Sequence, residues 1–404
     1  MNEVFIAMFI VGSLVLVLGL FSDLIKRTIL SEPLLSMIYG ILLSPLLLGF
    51  LRGNEEAVFE QASALTLAVG LIDVALRLPK FYIVHQARPL IVLLGLVMPL
   101  MWLVSGLLIF FILGLPFWMA LLIGAIISPT DPILASSILT GKIATDNIPS
   151  RIRYLLSAES GANDGLAYPF VFLPILVLTL SRPEILRDWL VSIVLWQVGG
   201  AIIAGALVGY VSGRLLSWVR AMKAIGIPSF LGYALTLSLV ALGSTELIGT
   251  DGILAVFATG VVFNMTITER ERTQAGNFQR AINRFFILPI FALFGSALPW
   301  SEWLKLGWKA VALVVAVLLL RRLPAVLVLK PLIKPINDFK DAAFAGWFGP
   351  MGVSALYYAN LSLRLTGIHE VWVIASLIIF ASIIAHGTTA TPLARLYARV
   401  RGGG

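Results

Sequence analysis

Apolar residues run along this chain in long stretches separated by short polar ones, without the strict alternation of a half-buried strand. A bilayer core about 30 Å thick takes about 20 apolar residues per helix, and fewer where a helix is broken or packed inside protein. By that measure the pattern predicts thirteen membrane helices, at about 4–21, 34–51, 62–78, 89–113, 117–139, 154–180, 189–213, 228–247, 251–266, 285–299, 309–329, 342–362 and 371–393. The tenth is short, and only residues 248–250 part the eighth from the ninth. Nearly all connections are short and none can hold a soluble domain, so residues 1–404 read as one all-α polytopic membrane domain. The opening Met1-Asn-Glu-Val-Phe-Ile has no basic leader and its apolar run continues to Phe21, which reads as a retained first helix.

Composition agrees with the pattern. At 59% hydrophobic and 12% charged, the chain has too little polar surface for a soluble enzyme. The net charge of +8 sits in small clusters between apolar runs, which is membrane topology and excludes a nucleic-acid stripe. Loops after odd-numbered spans hold 21 Lys and Arg, from Lys26 and Arg27 to Arg395, Arg399 and Arg401. Loops on the other side hold six: Arg52, Arg182, Arg187, Lys305, Lys309 and Arg364. Positive residues stay inside, so the N-terminus is expected outside and the C-terminus in the cytoplasm, with the closing Gly-Gly-Gly a flexible end. With no cysteine and three isolated histidines, His85, His369 and His386, no disulfide, thiolate or histidine metal cluster is expected, and no cofactor.

Thirteen spans put the first six and last six in opposite senses across the membrane. This is an inverted-repeat plan, with repeats at about 4–180 and 228–393 and a linking helix at about 189–213. The fifth element of each half is interrupted. Pro129 and Pro132 bracket Thr130 and Asp131 in the fifth span, and Gly349, Pro350 and Gly352 interrupt the twelfth. Proline removes a backbone donor and drives its predecessor out of helical geometry. The carbonyls and amides so freed survive at membrane depth beside a polar cavity. A plain proline kink is the alternative for either site alone; the matched pair favours the cavity.

Asp73, Asp131, Glu159 and Asp164 fall well inside predicted spans, where an acid costs at least about 2.5 kcal/mol. In the sixth span Glu159 and Asn163 stand four residues apart, as do Ser160 and Asp164, which draws two polar stripes on one helix. Gly161 and Gly165 let a neighbouring backbone approach. If Asp164 faces the break at Thr130, carboxylate, hydroxyl and freed carbonyl oxygens can hold an alkali ion. A carboxyl cut off from water holds its proton more firmly, so proton and metal ion compete for the same oxygens. A buried polar network that only locks helices together is the plainer alternative. Arg321 and Arg322 lie in the eleventh span, and one of them is expected to pair bidentately with Asp131 or Glu159. Glu246 and Asp251 read as an ordinary solvated loop, and His386 as a hydrogen-bonded core residue. Trp118, Trp189, Trp300, Trp303 and Trp308, near span ends, read as interfacial anchors.

The strings Ser128-Pro-Thr-Asp-Pro132, Ala158-Glu-Ser-Gly-Ala-Asn-Asp-Gly165 and Gly346-Trp-Phe-Gly-Pro-Met-Gly352 resemble the monovalent cation:proton antiporter family, in its NhaP-like branch, and the resemblance runs through essentially the whole chain. It implies a thirteen-helix homodimer with crossed, broken fifth and twelfth helices and a core domain that moves against a dimerisation domain. It assigns the ion- and proton-carrying carboxylate to Asp164, ion-ligand positions to Ser160 and Thr130, and an acid position to Asp73. Asp131, Glu159 and Asn163 match a supporting network completed by an arginine, for which Arg322 fits better than Arg321. Asn163 before Asp164 places the chain with one-for-one, electroneutral exchangers. Met351 stands where many relatives carry arginine.

The resulting expectation is a secondary transporter that exchanges Na⁺, K⁺ or Li⁺ for H⁺ by alternating access in a cell membrane, prokaryotic by its resemblance. Its partners are the ions, the lipid bilayer and a second copy of the chain. An ion-coupled symporter or channel is the alternative. An intramembrane aspartyl protease built on Asp131 and Asp164 is a third, although Asp164 follows Gly-Ala-Asn and lacks the Gly-x-Gly-Asp string of such enzymes.

Overall fold

The computed structural model describes residues 2–21, 25, 28, 30–44, 55–180, 183–222, 227–268 and 285–402, and among these every regular element is helical. In chain order they are α1 (Asn2–Leu20), α2 (Glu32–Leu42), α3 (Glu55–Arg77), α4 (Ala87–Leu113) and α5 (Phe117–Ile126). Then come α6 (Ser150–Thr179), α7 (Ile185–Ala221), α8 (Ile227–Leu247), α9 (Gly252–Thr266) and α10 (Phe285–Ser296). The last are α11 (Trp308–Leu332), α12 (Phe339–Trp347), α13 (Val353–Thr366) and α14 (His369–Gly402). Among the described residues six of these, α3, α4, α6, α7, α11 and α14, are long and apolar enough to cross a membrane. The predicted spans overlie the helices, the twelfth being divided into α12 and α13. The expected positive residues Lys26, Arg27, Arg52, Arg182, Lys223, Arg270, Arg272, Arg280 and Arg284, and the final two glycines, lie outside the described residues.

Boundaries shift where helix outlasts hydrophobicity. α14 continues past residue 393 through Arg395, Arg399 and Arg401, because the backbone ladder persists after the apolar stretch ends. α6 begins at Ser150, ahead of the predicted 154, and α7 covers 37 residues where about 25 are predicted. Trp303 departs from the interfacial expectation: it is buried, and its ring N–H donates to Val373 O at 2.9 Å, whereas Trp308 and Trp300 are exposed.

The molecule is apolar outside and polar at its centre. Phe111, Ile203, Leu304 and Val328 point outward from their helices. Only 22% of the apolar stretch of α7 and 28% of that of α11 is buried, against 61% for α3 and 67% for α14, which places the first two at the lipid-facing rim and the second two within the bundle. Asp131, Glu159, Asp164, Arg321 and Arg322 are all fully enclosed. Small residues bring the rim in close. A side-chain carbon at Gly205 would fall 2.3 Å from Ala255 O, and Thr259 Oγ1 donates to Gly205 O at 2.9 Å across the same α7–α9 contact. α9 meets α6 as expected at Gly165, 2.5 Å from Leu254 Cβ by the same measure, while Gly161 faces the ring of Phe257.

Both predicted interruptions are present. α5 stops at Ile126, and after the two prolines come a short turn at Ser136–Leu139 and a short helix at Gly141–Asn147. α12 stops at Trp347, and α13 starts at Val353 behind Gly352. The breaks meet: Asp131 N–H donates to Pro350 O at 2.8 Å, which joins the two backbones.

Candidate functional site

Asp131 fastens one break to the other. Its Oδ1 accepts from Ile133 N at 2.7 Å and Leu134 N at 3.3 Å, and its Oδ2 accepts from Val353 N at 2.6 Å, the first amide of α13. Three backbone donors take the place of the arginine considered for it. With its carboxylate so committed, Asp131 is badly placed to share a proton with Asp164, as a protease dyad requires. The fit leaves no room at Gly352, where an added side-chain carbon would lie 2.1 Å from Asp131 Oδ2.

The two arginines divide their work. Arg322 forms the bidentate pair with Glu159, at 2.5 and 2.7 Å, and its Nε donates to Ala345 O at 3.1 Å on α12. Among the described residues Arg321 pairs with no carboxylate. It donates to Ile127 O, to Ser128 O at 3.3 Å and to Gly349 O, so that one cation lies across the carboxyl ends of α5 and α12, where the helix dipoles leave partial negative charge. Met351 is buried and donates its N–H to Ser382 Oγ at 2.8 Å. With its proton on Nε2, His386 donates to Trp347 O at 3.0 Å and accepts from Ser382 Oγ at 3.2 Å, which fits the core role expected of it.

On α6 the stripe of Glu159 and Asn163 faces both breaks. Glu159 holds the second through Arg322. Asn163 holds the first through Thr130, accepting its N–H at Oδ1 (3.1 Å) and donating from Nδ2 to its Oγ1 (2.8 Å). The other stripe holds the remaining oxygens. Ser160 Oγ lies 2.9 Å from Thr130 Oγ1, and one turn on is Asp164, fully buried, with no hydrogen-bond partner among the described residues on either carboxyl oxygen. Its neighbours include Tyr358, whose hydroxyl donates to the Asp164 backbone carbonyl at 2.7 Å.

Thr130, Ser160, Asn163 and Asp164 therefore share one buried spot beside the junction of the breaks. Asp73, by contrast, pairs with Arg77 Nη2 at 3.0 Å, one turn along α3. Sequence reasoning passed over Ser354, in the first turn of α13. It is fully buried, its hydroxyl is unpaired among the described residues, and it stands one helical turn before Tyr358, whose hydroxyl donates to the Asp164 backbone carbonyl. No pattern marks it, because Asp164 is some 190 residues away. The solvated-loop reading fails for Asp251, which is 3% exposed and caps α9 by accepting from Ile253 N at 3.0 Å and Leu254 N at 3.3 Å; Glu246 is exposed and accepts from Gly252 N at 3.2 Å.

The chain is similar in sequence and in fold to known proteins. The chain is 33% identical over 349 residues to a Na(+)/H(+) antiporter of Saccharomyces cerevisiae, covering 83% of this chain and 35% of that protein. It is 31% identical over 417 residues to the Na(+)/H(+) antiporter of Schizosaccharomyces pombe, covering 96% and 89%. It is 28% identical over 405 residues to the K(+)/H(+) antiporter NhaP of Alkalimonas amylolytica, covering 98% and 67%. The chain thus spans about a third of the Saccharomyces protein, and 45% of Na(+)/H(+) antiporter 2 of Zygosaccharomyces rouxii. The sodium proton antiporter MjNhaP1 of Methanocaldococcus jannaschii shares the fold, with a TM-score of 0.69 at 19% identity over 98% of this chain and 100% of that one. A family model described as sodium/hydrogen exchanger, transmembrane, matches residues 12–396, and the chain belongs to that family.

Proposed function

We propose that this chain exchanges a monovalent cation, Na⁺, K⁺ or Li⁺, for H⁺ across a membrane, one for one, with Asp164 as the shared site and with Ser160 and Thr130 as further oxygen ligands. One observation carries the reading: both Asp164 carboxyl oxygens are buried without a hydrogen-bond partner, beside hydroxyls and at the junction of two broken helices. A purely structural carboxylate would be satisfied in place, as Asp131 is.

The chemistry follows from desolvation. A bare carboxylate is too costly to carry across low dielectric, so the site changes sides only when neutralised, by H⁺ or by a cation. One carboxyl takes one or the other, which makes exchange obligatory and electroneutral. Asn163 supports this count, since it offers Thr130 a donor and an acceptor without adding a charge. Asp73, expected among the ion- and proton-binding residues, is paired with Arg77 one turn along α3.

Alternating access uses repeats at about 4–180 and 228–393 about the linking helix 189–213. The chain works as a homodimer in a cell membrane, N-terminus outside and C-terminus in the cytoplasm; the bias of Lys and Arg between alternate loops supports this orientation. Yeasts are among the sources of its relatives, so they lend no support to a prokaryotic origin.

The test is a pH gradient imposed on everted or reconstituted vesicles. Na⁺ or K⁺ should collapse it in the wild type, and Asp164→Asn should abolish the effect. Undiminished exchange by that variant overturns the assignment.

A further inference from the structure

Thr130 and Ser160 come from the first half of the chain, and so does Asp164. The second half also places a hydroxyl at this spot. α13 begins at Val353, so Ser354 lies in its first turn, entirely enclosed. One turn further along α13 the Tyr358 hydroxyl donates to the Asp164 backbone carbonyl at 2.7 Å, and one residue earlier Val353 N–H donates to Asp131 Oδ2, so Ser354 lies on the stretch of α13 that meets both Asp131 and Asp164. Among the described residues Ser354 Oγ, Asp164 Oδ1 and Asp164 Oδ2 are three buried oxygens without hydrogen-bond partners. Unpaired buried oxygens are unfavourable, and three of them on adjoining stretches of α6 and α13 mark a place for a visitor that accepts electron pairs.

We propose that Ser354 Oγ is a ligand of the transported cation, contributed by the second broken helix, and that it favours the smaller ions Na⁺ and Li⁺ over K⁺. The inference rests on Asp164 as the shared site. A hydroxyl suits both states of such a site, because it can accept from a protonated carboxyl and, after rotation, turn a lone pair to a metal ion. Its position is fixed from both sides. Met351 N–H is held by Ser382, Pro350 O accepts from Asp131 N–H, and Val353 N–H is held by Asp131 Oδ2. The spacing between Ser354 and Thr130 is therefore set by backbone bonds across the junction of the breaks. An oxygen held at fixed distance discriminates by ion radius, and an extra one matters most to the ion that sheds the most tightly held water. The cation so held would bridge the two halves of the chain.

The test uses the full chain in vesicles, reading half-saturating Li⁺, Na⁺ and K⁺ for Ser354→Ala, Ser354→Cys, Ser362→Ala and Asp164→Asn. Ser362 is the control, being another buried serine of α13 with an unpaired hydroxyl. Ser354→Ala should raise half-saturating Na⁺ and Li⁺ about tenfold, as for one lost polar contact to a charge, and K⁺ by less than about threefold. Ser354→Cys keeps the packing and exchanges a hard oxygen for a soft sulfur, so it should shift the Na⁺ to K⁺ ratio in the same direction. Ser362→Ala should leave the ratio unchanged. An unaltered ratio in both Ser354 variants, or an equal change in Ser362→Ala, overturns the proposal. If Asp164→Asn is silent while the Ser354 variants match wild type, only the Ser354 assignment falls; if Asp164→Asn still exchanges, the underlying reading falls with it.

Discussion

The two helix breaks do the same mechanical work with different chemistry. The first, at residues 127–135, presents side chains: Thr130 to the ion spot and Asp131 to the facing backbone. The second, at residues 348–352, presents only glycines, a proline, Phe348 and Met351, and offers carbonyls, amides and close approach. Both are tied to α6, again by unlike means. The first is held by the neutral amide of Asn163. The second is held by the enclosed Glu159–Arg322 pair, and the far end of its α12 by Arg151 on α6, whose Nη2 lies 2.7 Å from Asp341 Oδ2. The difference teaches where charge is tolerated. Ion pairs tie the break without ion-binding side chains to α6, while the one bearing Thr130 is tied to α6 by a neutral amide and meets positive charge only at its start, where Arg321 holds Ile127 O and Ser128 O.

Breaking the strongest tie tests this most severely. Glu159→Gln leaves the Arg322 guanidinium buried without its counter-charge and should cost about 3–5 kcal/mol, whereas Glu159→Met with Arg322→Met should recover much of the loss. Thermal unfolding in detergent reads both, and a single variant as stable as wild type removes the idea of a charged brace. Gly352→Ala pushes a methyl group onto Asp131 Oδ2 and should cost about 1–3 kcal/mol while cutting exchange sharply, because the junction of the breaks must open. Normal transport by that variant means that the junction is looser than its geometry implies.

The smallest effect belongs to Asp341, one residue before the predicted twelfth span. Burial alone pushes its carboxyl up, but hydrogen bonds from Tyr397, Asn337 N–H and Arg151 outweigh that and hold it below the ordinary value. A depressed carboxyl stabilises the fold fully above its unfolded value of about 4 and loses that stabilisation as pH falls through the lower folded value. Asp341→Asn should cost about 1 kcal/mol at neutral pH and flatten the acid limb of the unfolding curve. An unchanged acid limb would show that these contacts add nothing to the anchoring of α12.

The residues themselves determined that this chain fills a bilayer, that its helices break at Pro129 and Pro132 and again at Gly349–Gly352, and that Glu159, Asn163, Ser160 and Asp164 form two stripes. These are local consequences of hydrophobic length, of the missing proline donor and of the helical repeat, so they are written in neighbouring positions. Which arginine meets Glu159, what Arg321 does instead, that Asp131 binds backbone rather than a cation, that Asp251 is enclosed, and that the first turns of α13 lie against Asp164 were decided only when helices distant in the chain packed together. Partnership across such distances depends on crossing and depth, which periodicity along one helix does not encode.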